Sequence, residues 1–363
     1  MNSLDTTFFS DSYLTGRTRW LALLNTLNCP IRYQPYQAPG FGPNSEALIT
    51  DTAWLGDYDA ERVLVIISGT HGVEGFAGNA VQLNWLSRLS DGAITLPKTT
   101  AVLIIHALTP WGYAWCRRCD HDGVDLNRNK VDFNQTLPQN LGYEELRSAL
   151  YQASHAQRQQ LFNDYEQQHG RVAFEHAISA GQYTDALGPF YGGLAPAHGR
   201  LVIEQLIQHY QLANKTLAVV DIHTGLGPFG YGEIICDHEP DSLGANTAKG
   251  WYGDSVTLPL LGTSSSVPKY GLMDFAWHEI MTDSESSYIT LEFGTYRTRE
   301  LFEVLLKDHL LWAMTDNNDA RAQHAQVMQN YFCPKDHAWR ELVLFRSQQV
   351  LNQALAGVAG LML

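Results

Sequence analysis

The chain is poor in charge, and poorest in basic charge. Charged residues fill 17% of its 363 positions, and 24 Lys and Arg stand against 38 Asp and Glu, a formal charge of −14. That balance excludes a general binder of nucleic acid or of anionic membrane. No stretch approaches the roughly 18 consecutive apolar residues that a membrane-spanning helix needs. Cysteine is scarce and odd in number, five in all, so a disulfide framework is not expected. The opening residues Met1-Asn-Ser-Leu-Asp-Thr-Thr carry neither a basic region nor an apolar core, so no signal peptide is read there. No repeat of fixed period, low-complexity tract or Pro/Gly/Ser linker divides the chain. These absences leave a cytoplasmic globular enzyme as the expectation, with a homo-oligomer neither required nor excluded.

What is present is an ordinary globular composition, 45% hydrophobic and 11% aromatic. The length allows two domains, or one large α/β domain carrying an insertion. Four short, apolar, β-branched runs read as buried strands: 62–68, 100–106, 216–221 and 287–292. Leu14, Trp20, Leu21, Leu23, Leu24 and Leu27 fall near helical spacing and predict an opening helix within 11–27. Further helices are read at 74–89, 298–316 and 337–357. Strands separated by helices imply a doubly wound, mostly parallel α/β sheet with helices on both faces. The stretch 131–215 interrupts that rhythm. It places Leu146, Leu150, Ala153, Leu161 and Tyr165 roughly on one helical face. It reads as a largely helical insertion within a single catalytic domain, 1–363.

The ends of the strands carry the chemistry, as expected where ligands bind at the carboxyl edge of an open α/β sheet. The first run leads into Gly69-Thr-His71-Gly-Val-Glu74-Gly, the third into Asp221-Ile-His223-Thr-Gly, and the fourth ends on Glu292. A His-x-x-Glu pair alone says little, since 14 His and 16 Glu in this length produce about 0.6 such pairs by chance. Its position is informative, because a turn opening a helix puts residues i and i+3 on one side. His223 would complete His₂Glu, a ligand set for catalytic zinc with an open position. Water activated at such a centre needs a base, which a carboxylate on a neighbouring strand end supplies. Asn127-Arg128 offers an amide beside a planar fork, suited to a carboxylate. An isolated loop arginine more often pairs with a surface acid.

Other features read as structural. Cys116-Arg-Arg-Cys119 has redox or half-zinc spacing but no second pair. His106 reads as a core histidine, and His155, His169 and His176 as solvated. Asp221 either orients His223 or binds a second metal.

Gly69-Thr-His71-Gly-Val-Glu74, Val124-Asp-Leu-Asn127-Arg128-Asn, Asp221-Ile-His223-Thr-Gly and Leu291-Glu292-Phe-Gly-Thr follow one another in the order of the zinc carboxypeptidase superfamily. Over roughly 60–300 the chain resembles that group, which includes carboxypeptidase A and the aspartoacylase/succinylglutamate desuccinylase branch. Gly181-Gln-Tyr183 and Gly188-Pro-Phe-Tyr191-Gly-Gly193 resemble a bacterial branch of it. The resemblance implies one Zn²⁺ on His71, Glu74 and His223, with Glu292 as general base. It implies that Asn127 and Arg128 grip the substrate's free carboxylate. Arg118 would polarise the scissile carbonyl, with Arg117 one position away as the alternative. For the tyrosine that lines the pocket in carboxypeptidase A, Tyr270 is expected, with Tyr183, Tyr191 and Tyr231 as alternatives. The implied activity is a zinc metallocarboxypeptidase-like hydrolase cutting an amide bond beside a free carboxylate. Its substrate is then a small peptide or an N-acyl amino acid. A two-metal aminopeptidase and a non-catalytic carboxylate-binding protein are the rivals.

Overall fold

The apolar runs pair into one eight-stranded sheet. The computed structural model describes residues 5–361 apart from 153 and 315, so Ala153 of the expected helical face lies outside the described residues. Helix α1 (Tyr13–Leu24) precedes a hairpin of β1 (Ile31–Phe41) and β2 (Ala47–Leu55), followed by β3 (Arg62–Ser68), α2 (Gly75–Ser90) and β4 (Thr100–His106). A short α3 (Pro110–Ala114) leads to α4 (Leu141–Gln152), α5 (His155–His169), α6 (Arg171–Ser179) and α7 (His198–His209). The chain continues through β5 (Thr216–Gly225), β6 (Gly232–Ile235), α8 (Leu243–Tyr252), β7 (Val256–Thr257), α9 (Asp274–His278) and β8 (Ser287–Gly294). It closes with α10 (Thr298–Met314), α11 (Asn318–Phe332) and α12 (His337–Val358). No helix among the described residues is long and apolar enough to cross a membrane.

The strand order is β1-β2-β4-β3-β5-β8-β6-β7. Four of the seven pairings are parallel, so the sheet is mixed, with its antiparallel pairings toward both edges. The central strands are apolar along their whole length because both faces are covered. On β3, Leu64 and Ile66 join the core under α1, α2 and α12, while Val63, Val65 and Ile67 join the opposite core under α7 and α9. The hairpin was not legible as strand because β1 is an edge, half-exposed and carrying Pro35 and Pro39. An edge tolerates proline, since one side of it needs no ladder hydrogen bonds.

The stretch 131–215, expected to be a helical insertion, supplies four α-helices among the described residues, α4 to α7. Ser154 begins α5 with a reciprocal cap, its side chain accepting from Gln157 N and Gln157 Oε1 accepting from Ser154 N. Phe162, Phe174 and Phe190 bury themselves in the same core cluster as the sheet residues.

The topology places the site. From β3 the chain crosses to β4 on one side, then returns to β5 on the other. The carboxyl ends of β3 and β5 therefore flank a topological switch point, where an open α/β sheet leaves a crevice.

Candidate metal centre and substrate cavity

Beyond β3, Gly69 turns the chain at φ +65°, a conformation that side chains resist. His71 follows in extended conformation, and a 3₁₀ turn from Gly72 to Glu74 runs into α2. Gly72 lies against the backbone of Gly112, where a Cβ would meet the Gly112 carbonyl carbon at 2.2 Å. The turn's free N–H groups donate outward, Gly72 N to Arg118 O at 3.0 Å and Val73 N to Arg117 O at 2.8 Å. On the neighbouring strand, β5 continues past the expected end at Asp221. Strand alternation puts Asp221 and His223 on one face, and parallel register sets His223 beside Glu292 of β8.

Three donors converge as a result. His71, Glu74 and His223 are all buried, with ligand atoms within 4.8 Å of one another. The two Nδ1 atoms lie 3.1 Å apart. Glu74 Oε1 stands 2.8 Å from His71 Nδ1, and Glu74 Oε2 stands 3.1 Å from His223 Nδ1. The outer imidazole nitrogens face carboxylates: His223 Nε2 lies 2.9 Å from Asp221 Oδ2, and His71 Nε2 lies 3.2 Å from Asp125 Oδ1. With a proton on the outer nitrogen of His223, its Nδ1 and the Glu74 oxygens point lone pairs inward at one another, whereas Arg118 Nη2 donates to His71 Nε2 at 2.7 Å and so leaves the His71 proton on Nδ1, from which a bound cation would displace it. A cation between them removes that repulsion. The donor set fits a divalent transition metal.

Asp221 is already engaged by other partners, most of them at Oδ2. Thr70 Oγ1 donates to both of its oxygens at 2.9 and 2.8 Å, and Tyr288 Oη donates to Oδ2 at 2.9 Å. Burial opposes charge on the His223 imidazole, and Asp221 with Glu74 outweighs it, leaving its proton affinity well above the ordinary value. Burial likewise opposes the Glu74 carboxylate, but the two imidazoles hold it below its usual range. Thr224 N donates to Glu74 Oε2 at 3.0 Å and helps fix it.

A cavity opens over these donors, lined also by Arg118, Asn127, Arg128, Phe190, Asp237, Lys269 and Glu292. Glu292 is 7% exposed. Its Oε1 accepts from Leu226 N at 2.9 Å, which leaves Oε2 free of that bond. Burial, with Glu74 nearby, pushes its pKa up to about 7.

The structure separates the two arginines. Arg118 lines the cavity and donates to Glu74 Oε1 at 3.0 Å and to Asp125 Oδ2 at 2.9 Å. Arg117 points the other way, bonding Asp308 at 2.7 Å and lying 4.6 Å over the Trp312 ring. Arg128 is 1% exposed, and three of its donors are spent on carbonyls, two on Ser179 O and one on Asn127 O. Phe190 of the insertion lies 5.3 Å from the Arg118 guanidinium and 5.5 Å from that of Arg128. Asn127 Oδ1 accepts from Met273 N at 2.8 Å, so its Nδ2 is the atom left to donate.

One expected residue sits elsewhere. Tyr270 is not in the cavity lining; its ring packs edge-on against His176 at 5.6 Å. Neither Tyr183, Tyr191 nor Tyr231 replaces it there. Tyr183 instead donates to Arg128 O at 2.7 Å from behind. Loop geometry decided this, because the side chains of Lys269 and Tyr270 diverge and it is Lys269 that enters the cavity. Asp125 lies inside the quoted Val124–Asn129 motif, where an acid two residues before Asn127 could have suggested its partnership with His71. Phe190 lies inside the Gly188–Gly193 motif, to which no role at the site was attached, and nothing in the sequence announced Ser179 or Lys269.

The remaining sequence candidates fall outside the centre. His106 is buried and stacks on Trp20 at 5.6 Å. His155 and His169 are exposed, and His176 is half-buried. Burial pushes the thiols of Cys116 and Cys119 up to about 12, so neither is a ready nucleophile.

A family model described as protein of unknown function (DUF2817) matches residues 9–346. No curated protein matches the chain. Among solved structures, it is similar to that of bovine thrombin-activatable fibrinolysis inhibitor in complex with tick carboxypeptidase inhibitor, at 12% identity, 93% of this chain, 97% of that one and a TM-score of 0.46. Murein-tripeptide amidase MpaA from Escherichia coli O157 aligns at 18% identity over 86% of this chain and 97% of that one, TM-score 0.36. Succinylglutamate desuccinylase from Chromobacterium violaceum aligns at 14% identity over 90% and 75%, TM-score 0.36. With nearly its whole length matched by one family model, the chain belongs to the DUF2817 family.

Proposed function

We propose that this protein is a zinc-dependent hydrolase that cuts an amide bond beside a free carboxylate. The observation that carries this reading is the placement of Glu292. It stands in register beside a buried His₂Glu donor set, in the cavity that also holds Arg118, Asn127 and Arg128. His71, Glu74 and His223 would hold the ion. Bound there, zinc supplies Lewis acidity toward a carbonyl oxygen and lowers the pKa of water. Glu292 Oε2, the oxygen free of Leu226, takes the proton of the attacking water and returns it to the leaving amine. Arg118 donates to the oxygen on which negative charge develops. Asn127 Nδ2 and the two unspent N–H groups of Arg128 hold the carboxylate and so set which bond meets Glu292.

The C-terminal residue of a peptide and an N-acyl amino acid both present an amide beside a carboxylate, and both belong to this proposal. The engagement of Asp221 with Thr70, Tyr288 and His223 weighs against the two-metal alternative. The test is hydrolysis of dipeptides and N-acetyl amino acids, each as free acid and as terminal amide, by zinc-loaded and by chelated protein. Metal-dependent release of the amino acid from the free acids is expected. Activity that survives chelation, or that prefers the amides, would overturn the reading.

A further inference from the structure

Lys269 enters the cavity from the loop between β7 and α9, and two sets of contacts fix that loop. On one side it is stitched to the Asn127-Arg128 turn. Lys130 N donates to Gly271 O at 3.0 Å, Met273 N donates to Asn127 Oδ1 at 2.8 Å, and a Cβ on Gly271 would lie 2.3 Å from Arg128 O. On the other side Glu233 gathers Ser264 Oγ at 2.8 Å, Ser265 N at 3.1 Å and Thr257 Oγ1 at 2.6 Å. The ammonium is therefore delivered beside Arg128 by a braced segment.

Its own partners are neutral. Lys269 Nζ donates to Val267 O at 2.9 Å and to Ser266 Oγ, which uses two of its three N–H groups. Among the described residues, neither Lys269 nor Arg128 has a carboxylate oxygen within 4.0 Å. Asp237 lines the same cavity but stands beyond that reach of both. Arg128 is buried and Lys269 half-buried beside it, with Asp125 acting on Arg128 and Asp237 on both only from beyond 4.0 Å, so an anion between the two cations offsets the cost of holding them together. Three sets of unspent donors belong to residues lining that part of the cavity: one on Lys269, two on Arg128, and the Asn127 amide.

Resting on the carboxylate-anchor reading above, we infer that Lys269 is a second cation of that anchor, binding the substrate's free carboxylate together with Arg128 and Asn127. The role expected of Tyr270 thus belongs to the residue before it, with a charge in place of a phenol.

The test compares zinc-loaded wild type with Lys269→Met, Lys269→Arg and Arg128→Ala. Two quantities are read: the ratio of kcat/KM for a free-acid substrate over its terminal amide, and calorimetric affinity for the released amino acid over its carboxamide. Removing a charged hydrogen-bond donor should lower both ratios roughly tenfold to a hundredfold in Lys269→Met. Lys269→Arg, which keeps the charge, should recover most of the preference and thereby exclude a mere folding defect. An unchanged preference in Lys269→Met, with the preference lost in Arg128→Ala, would overturn the role of Lys269 and leave the anchor standing. If Arg128→Ala also keeps the preference, the anchor reading itself fails. Equal loss in Lys269→Arg and Lys269→Met would make the residue a structural brace and overturn the inference.

Discussion

The two walls of the cavity are built differently. The wall proposed to hold the metal is made by strand ends and one tight turn: His71 and Glu74 sit three residues apart after β3, and His223 and Glu292 lie side by side in sheet register. The wall proposed to bind the carboxylate is assembled from segments far apart in sequence, with Arg128 held by Ser179 at the end of α6 and Lys269 brought in by a loop more than a hundred residues after Arg128. Regular elements fix side-chain direction through the backbone. Loops fix it only through their contacts, so the two walls should respond differently to substitution.

The largest effect is expected on the metal side. Glu292→Gln keeps the shape and removes the proton acceptor, so kcat should fall by roughly 10²–10⁴-fold with zinc content unchanged. Parallel loss of zinc, measured by elemental analysis, would make Glu292 a ligand and break the division of labour between it and Glu74.

On the opposite wall, Arg128→Ala should cost about 2–5 kcal/mol in kcat/KM on a free-acid substrate and little more on the corresponding amide. That non-additivity closes a double-mutant cycle between side chain and carboxylate. Losses that simply add would mean that Arg128 never touches the carboxylate.

A smaller effect should come from behind the metal. Asp221 Oδ2 lies 2.9 Å from His223 Nε2 while Thr70 and Tyr288 hold Asp221. Asp221→Asn should weaken zinc affinity by roughly 10–100-fold in a chelator competition. Unaltered affinity would show that the strand alone orients His223.

The smallest effect separates the walls by pH. Burial, with Arg128 and Arg118 adding and Asp237 and Glu292 opposing, lowers Lys269 to about 8. Lys269 is then charged below that value and neutral above it. The preference for free acid over amide should decline as pH rises through about 8, and the decline should be absent in Lys269→Met. A preference that is flat across this range in wild type would contradict a charged Lys269 in the anchor.

The contrast also explains what was legible in the sequence. The strands at 62–68 and 100–106 were readable because burial on both faces leaves no polar alternation, and their ends could be searched for chemistry. His71, Glu74, His223 and Glu292 come together because short spacing and sheet pairing bring them there. Arg118 and Arg117 differ by one position, and only the bonds of Arg117 to Asp308 and its stacking on Trp312 assign the inward direction to Arg118. Tyr270 and Lys269 pose the same problem, with the opposite outcome for the expectation. In both cases a loop's direction depends on residues that no local pattern names. The edge strand β1 and the polar helix α11, rich in Gln and Asn, escaped for a related reason, since neither presents a long apolar periodicity.

The most direct test of the central claim is the metal content of the purified protein. Elemental analysis of wild type and of His71→Ala, with circular dichroism to confirm that the variant folds, should give one zinc per chain in the first and a large loss in the second. Undiminished zinc in a folded His71→Ala protein, or two zinc ions per chain in the wild type, would contradict a single centre on His71, Glu74 and His223.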